Sequence, residues 1–155
     1  VMARVINAAY RLGTADGAKQ LARIAGNAQG VAEIRRDALL ALGDWGTPSG
    51  RDRVTGLWRP IDPKAPKKAR DKQVAIGALR PALATVLADG SDDVLEAAVQ
   101  ATGALGLVDQ SPALAGIVGR TKAARQVRLR ALRTLQTMKA PELKVALDTA
   151  SRDPE

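Results

Sequence analysis

Three arginines and three apolar side chains share one short stretch: Arg51, Arg53 and Arg59 alternate with Val54, Leu57 and Trp58. Tryptophan and arginine are the side chains that most often anchor protein interfaces. The group therefore offers a docking surface for an acidic protein partner or a neighbouring domain. A structural reading stands beside it. Val54, Leu57 and Trp58 can pin the stretch across the rest of the fold, with Arg51 or Arg53 paired to Asp44 or Asp52. A second basic group runs from Arg120 to Lys139, where every charged residue is a cation. Arg125, Arg128, Arg130 and Arg133 either solvate a helix face or form a phosphate-tracking stripe for nucleic acid. Bases also need stacking platforms. Tyr10, Trp45 and Trp58 are the only aromatics, and Trp45 is expected inside. The adjacent carboxylates Asp92 and Asp93 stand at an expected helix start, where they offset unpaired N–H groups and the helix dipole. Acid–base work would need a pocket and a partner group that the sequence does not supply. Ser49, Ser91, Ser111 and Ser151 have no histidine to activate them. No catalytic residue is assigned, and the segment reads as non-catalytic.

The elements that carry these groups follow from composition. The chain has 155 residues, enough for one domain with a core. Apolar residues make up 46% but aromatics only 2%, with no Phe. A core of Ala, Leu, Val and Ile points to closely packed helices rather than a β-sandwich. There is no Cys and no His, which removes disulfides, thiol and histidine catalysis, zinc fingers and covalent haem attachment from this segment. No cofactor is expected in it. No apolar run approaches the ~20 residues that cross a bilayer, and Val1 opens directly into an amphipathic pattern rather than a signal peptide. The net charge is +8, yet every charge from Asp89 to Asp109 is acidic.

Four segments align: 1–13, 34–46, 94–106 and 127–139, beginning at Val1, Ile34, Val94 and Val127. Their spacings are 33, 60 and 33, and the 27-residue run from Gly46 to Lys72 accounts for the long one. Within each, apolar residues recur at i, i+4, i+7 or i+8, and i+11, one face of a helix. Examples are Ile34, Ala38, Ala41, Leu42 and Trp45, or Val94, Ala98, Ala101 and Leu105, or Val127, Ala131, Leu135 and Met138. In the first copy they are Val1, Val5, Ala8 and Leu12. A small residue near the middle lets a neighbouring helix come close. Gly13, Gly46 and Gly106 are placed to close three of the segments. A second helix is expected after each: Ala18–Gly26, Gln73–Asp89 with a kink at Pro81, Pro112–Gly119 and Pro141–Ser151. Ser111, and Ser91 with Asp92 and Asp93, are start signals. Stacked helix pairs of about this period form α-solenoids. The expected fold is all-α, with about four helical hairpins in one domain: 1–30, 31–90 with insertion 46–72, 91–122 and 123–155.

These segments resemble the HEAT-repeat family in its short bacterial form, Asp-x-x-Val-Arg-x-x-Ala-x-x-Ala-Leu-Gly. Asp93 and Val94 with Ala98, Ala101, Leu105 and Gly106 match part of it. Ile34 and Arg35 match with Ala38, Ala41, Leu42 and Gly43, and Val127 and Arg128 with Ala131 and Leu135. Leu95 and Met2 stand where the arginine would be, and Lys139 replaces the closing glycine. The resemblance implies that Arg128 pairs with an aspartate of a neighbouring unit, Asp93 being the candidate. The ending Asp153-Pro154-Glu155 is how a further repeat would begin, so the chain is expected to be a fragment of a longer array. The run ALGDWGTPSGRDRVTGLWRP also resembles a segment of large bacterial multidomain proteins. These join a sugar-dehydrogenase-like β-propeller, HEAT repeats and a c-type haem domain. That likeness implies a spacer or interaction module in a redox-linked protein outside the cytoplasm. A basic module binding nucleic acid, of the DNA-repair type, is the alternative.

Overall fold

The computed structural model describes residues 1–61 and 70–152. They are all-helical: α1 Met2–Leu12, α2 Ala15–Gly26, α3 Ala32–Gly43, α4 Lys72–Leu79, α5 Leu83–Leu87, α6 Asp92–Leu105, α7 Ser111–Val118, α8 Arg125–Thr137 and α9 Leu143–Ser151. No described helix is long and apolar enough to cross a membrane. The aligned segments are α1, α3, α6 and α8. They pack in sequence, α1 on α3, α3 on α6, α6 on α8. Beside them α2 packs on α4 and α5, α5 on α7, and α7 on α9. The Leu- and Ala-rich core lies between these two rows.

Close approach explains the small residues. A Cβ on Gly43 would lie 3.2 Å from Ala101 Cα, and one on Gly103 would lie 2.8 Å from Thr134 Cγ2. In both cases position i+9 of one helix receives position i+7 of the next. The stripe at i, i+4, i+7 and i+11 therefore faces the preceding helix of the row. This corrects the expectation for the first copy. Val1, Ala8 and Leu12 are exposed, and α1 instead buries Ile6, Ala9 and Tyr10 toward its neighbours. No described element lies on the other side of α1.

The helix ends keep the register with one exception. Gly13 and Gly106 adopt left-handed φ values of 64° and 71°. Lys139, at the same aligned position, takes φ 51° although it carries a side chain. The stack thus imposes on a lysine the turn that glycine makes at less cost. Gly46 does not take a positive φ; α3 ends at Gly43 with Asp44 as its cap, because the chain leaves there into the insertion. Pro81 sits in a 3-10 turn, Arg80–Ala82, that divides the expected long helix into α4 and α5. The start signals act differently from expectation. Ser91 makes no side-chain cap, and Ser111 Oγ donates to Glu142 instead of capping. Asp92 and Asp93 do occupy the first turn of α6, and Asp92 Oδ1 accepts the Ala124 N–H at 3.0 Å.

A candidate docking site on the inserted loop

The run between α3 and α4 returns to α1 and is held there by polar groups. Asn7 lies one position from Ile6 on the helix and is buried under the loop. Its Nδ2 donates to Asp52 Oδ2 at 3.0 Å, and its Oδ1 accepts the Arg53 N–H at 3.2 Å. One turn on, the buried Tyr10 hydroxyl accepts the Ser49 N–H at 3.1 Å. Arg11 Nη2 then donates to the carbonyls of Arg59 and Pro60 at 2.8 and 3.3 Å. Asn7, Tyr10 and Arg11 are i, i+3 and i+4, so one helix face binds the loop between Ser49 and Pro60.

Within the loop the chain turns back on itself. The Asp52 N–H donates to Leu57 O and the Arg59 N–H to Gly50 O, both at 2.8 Å. Arg51 and Trp58 are thereby an antiparallel, non-hydrogen-bonded pair. The turn closes through Asp52 Oδ1, which accepts from the Val54 and Thr55 N–H groups at 3.0 and 2.9 Å, and through Gly56 at φ 71°. The Thr55 N–H above all, with the Asn7 amide, holds the Asp52 carboxyl down to about 2, against the opposing effect of burial.

The far end of the insertion is fastened at the same place. Arg70 donates to Tyr10 O and to Arg11 O, capping the α1 carbonyls. Its guanidinium lies 4.7 Å from the centre of the Trp45 ring and 5.1 Å from that of Tyr10, rings that meet edge to face. Burial depresses its pKa, and the neighbouring Arg11 adds to this. The ring faces offset part of that charge. Burial also raises the Tyr10 pKa, against the Ser49 N–H it accepts.

This anchoring overturns the expectation that Val54, Leu57 and Trp58 pin the loop. All three are exposed, Trp58 at 67%. The polar side chains take the inward positions, because α1 offers Asn7 and Arg11 there rather than an apolar groove. Trp58 lies along the Gly50 backbone, where a Cβ would meet the ring at 2.7 Å. Arg53 is half-buried, paired with Asp44 at 3.0 Å and 5.2 Å from the Tyr10 centroid. That pair is as expected; Asp52 goes to Asn7 instead. Arg51 and Arg59 are exposed. Trp45 is fully buried, also as expected.

The α8 arginines do not form one surface. Arg125 and Arg133 are exposed, Arg130 pairs with Glu96 at 2.7 Å, and Arg128 is 6% exposed. Arg130 and Arg133 line an open groove against α6 that also holds Gln100 and Gln126. The inserted loop is on α1, three helices from α8 along the row. The expected ion pair between Arg128 and Asp93 does not form. In the second copy Arg35, at the matching position, reaches forward to Asp89 at 2.7 Å and also donates to Ala25 O, while Asp93 is exposed. Lys64, Lys67 and Lys68 of the insertion lie outside the described residues, as do Asp153, Pro154 and Glu155.

Among the described residues no group of three acidic side chains is placed to hold a metal ion. Asn7 and Arg11 were not singled out in the sequence, and Tyr10 and Arg70 were not expected to anchor the loop. The one signal was an asparagine inside an otherwise apolar helical run. Comparison with family models, with curated proteins and with solved structures finds no match.

Proposed function

We propose that the chain is an α-solenoid of about four HEAT-like helical hairpins acting as a non-catalytic interaction or spacer module. It would belong to a larger bacterial, redox-linked multidomain protein, outside the cytoplasm. Two rows of helices with a kept register support the solenoid reading, and the left-handed turn at Lys139 supports four copies rather than three. One observation carries the interaction reading: a loop tied down by its polar side chains turns Val54, Leu57 and Trp58 outward. Holding apolar side chains rigidly in water costs hydration without aiding the fold, and a rigid exposed tryptophan is what an interface uses.

The test is the double variant Leu57→Ala/Trp58→Ala in the full-length protein. Docking predicts only a small stability loss, well below the ~3–5 kcal/mol of a buried tryptophan, and weaker association with the neighbouring domain or partner. A full-length gene with no propeller or haem domain beside this segment removes the redox-linked part and leaves the interaction part to the binding measurement.

A further inference from the structure

Over residues 46–61 the inserted loop buries its one carboxylate, Asp52, and displays two of its three arginines. Asp44 is taken by Arg53. Asp52 is buried, and its oxygens accept from Asn7 and from the Val54 and Thr55 N–H groups. Arg51 and Arg59 are exposed, and no carboxylate of the described residues lies within ion-pairing distance of either. Arg51 is nonetheless held in place, since its Nη1 donates to Gly56 O at 3.2 Å. Arg51 and Trp58 are directly opposed, so their side chains share one face. The Trp58 ring has one side on Gly50 and leaves most of its surface to solvent. Leu57 and Val54 are exposed as well.

Resting on the docking reading above, we propose that the partner is an acidic polypeptide segment whose apolar side chain is flanked by carboxylates. The apolar side chain covers the Trp58 ring. A carboxylate on either side meets the guanidiniums of Arg51 and Arg59, whose planar forks match it. The loop's own hydrogen bonds fix these groups beforehand, so little ordering remains at binding. Single-stranded nucleic acid fits less well. Successive bases need a series of rings, and Tyr10 and Trp45 are buried, leaving Trp58 alone.

The probes are a random glutamate–tyrosine copolymer, polyglutamate of the same length, and an oligothymidine. Each is titrated at low salt, and Trp58 emission is read as the difference between the native chain and Trp58→Phe. The copolymer is expected to bind more tightly than polyglutamate and to change Trp58 emission. Arg51→Glu/Arg59→Glu should weaken it by about tenfold or more, in line with truncated interface charge pairs. Arg51→Gln/Arg59→Gln, gentler on the fold, should lose less but in the same direction. Arg125→Glu/Arg133→Glu removes equal charge elsewhere and should leave affinity within about twofold. Equal weakening by both charge reversals would reduce the effect to net charge and overturn the proposal. Tighter binding by oligothymidine through Trp58 would replace it with nucleic acid. If Leu57→Ala/Trp58→Ala weakens association of the full-length protein while the arginine variants do not, docking stands and the acidic partner falls.

Discussion

The two tryptophans should differ sharply in what they contribute to stability. Trp58→Ala removes a side chain that is 67% exposed. About a third of it is buried, roughly 50–80 Å² of a tryptophan's 150–250 Å². At about 25 cal/mol/Å² that is at most ~1–2 kcal/mol, and less once the compact unfolded chain is considered. Trp45→Ala removes a side chain with 0% exposure and the ring over which Arg70 lies. A cavity in the core and a buried guanidinium short of a partner should cost about 3–5 kcal/mol. For a chain of this size each kcal/mol moves the melting temperature by about 2–4 °C. Thermal and urea unfolding followed by circular dichroism at the helix band reads both variants without using tryptophan emission. A Trp58→Ala loss equal to that of Trp45→Ala would refute the reasoning: Trp58 would then be a structural pin and its outward position wrong. Near-native stability of Trp45→Ala would refute it from the other side, placing the Tyr10–Trp45–Arg70 cluster outside the cooperative core.

Asn7→Ala should free the loop, and trypsin cleavage after Arg51 and Arg53 should accelerate by about tenfold, since loop opening sets that rate; an unchanged rate would mean Asn7 is not the anchor. Acid should act through Asp52. Its folded pKa, about 2, lies below the ordinary 3.8, so its contribution is full above pH ~4 and drains away as pH falls toward 2. The Val54 and Thr55 amide resonances should titrate with a midpoint near 2, and Asn7→Ala should raise it; a native midpoint at 3.8 would contradict the bonding seen at Asp52. Asp89→Ala strips the buried Arg35 guanidinium of its partner and should cost about 3–5 kcal/mol in urea unfolding, whereas Asp109→Ala, opposite Arg80 on the surface, should cost under ~1 kcal/mol.

Periodicity was enough to find the helical register, because helix faces are written locally. Apolar residues at i, i+4 and i+7 bury one stripe wherever a helix precedes in the row, as it does for α3, α6 and α8. The same pattern misjudged α1, because a stripe is buried only when something lies against it. The helix divided at Pro81 was legible for a similar reason, since proline acts on its own turn. The closing turns were legible in conformation but not in residue type: Lys139 took the glycine's backbone, while Gly46 gave it up to the insertion.

The inserted loop shows where local reading ends. From the sequence, Val54, Leu57 and Trp58 looked like anchors and the arginines like surface, since apolar groups generally go inside. Which side of a loop faces the fold depends on what waits for it there. On α1 that is an asparagine amide, a tyrosine hydroxyl and an arginine, all distant in sequence from the groups they bind. Hydrogen bonds of this kind leave no period to detect. The sequence by itself determined the all-helical class of the described residues, the aligned helices α1, α3, α6 and α8, and the burial of Trp45, because propensity and spacing act over a few residues. Only the tertiary structure decided that Asp52 is sequestered, that Arg70 lies against Tyr10 and Trp45, and that Trp58 with Arg51 and Arg59 faces outward. Those outcomes depend on groups brought together across some 45–60 residues of chain.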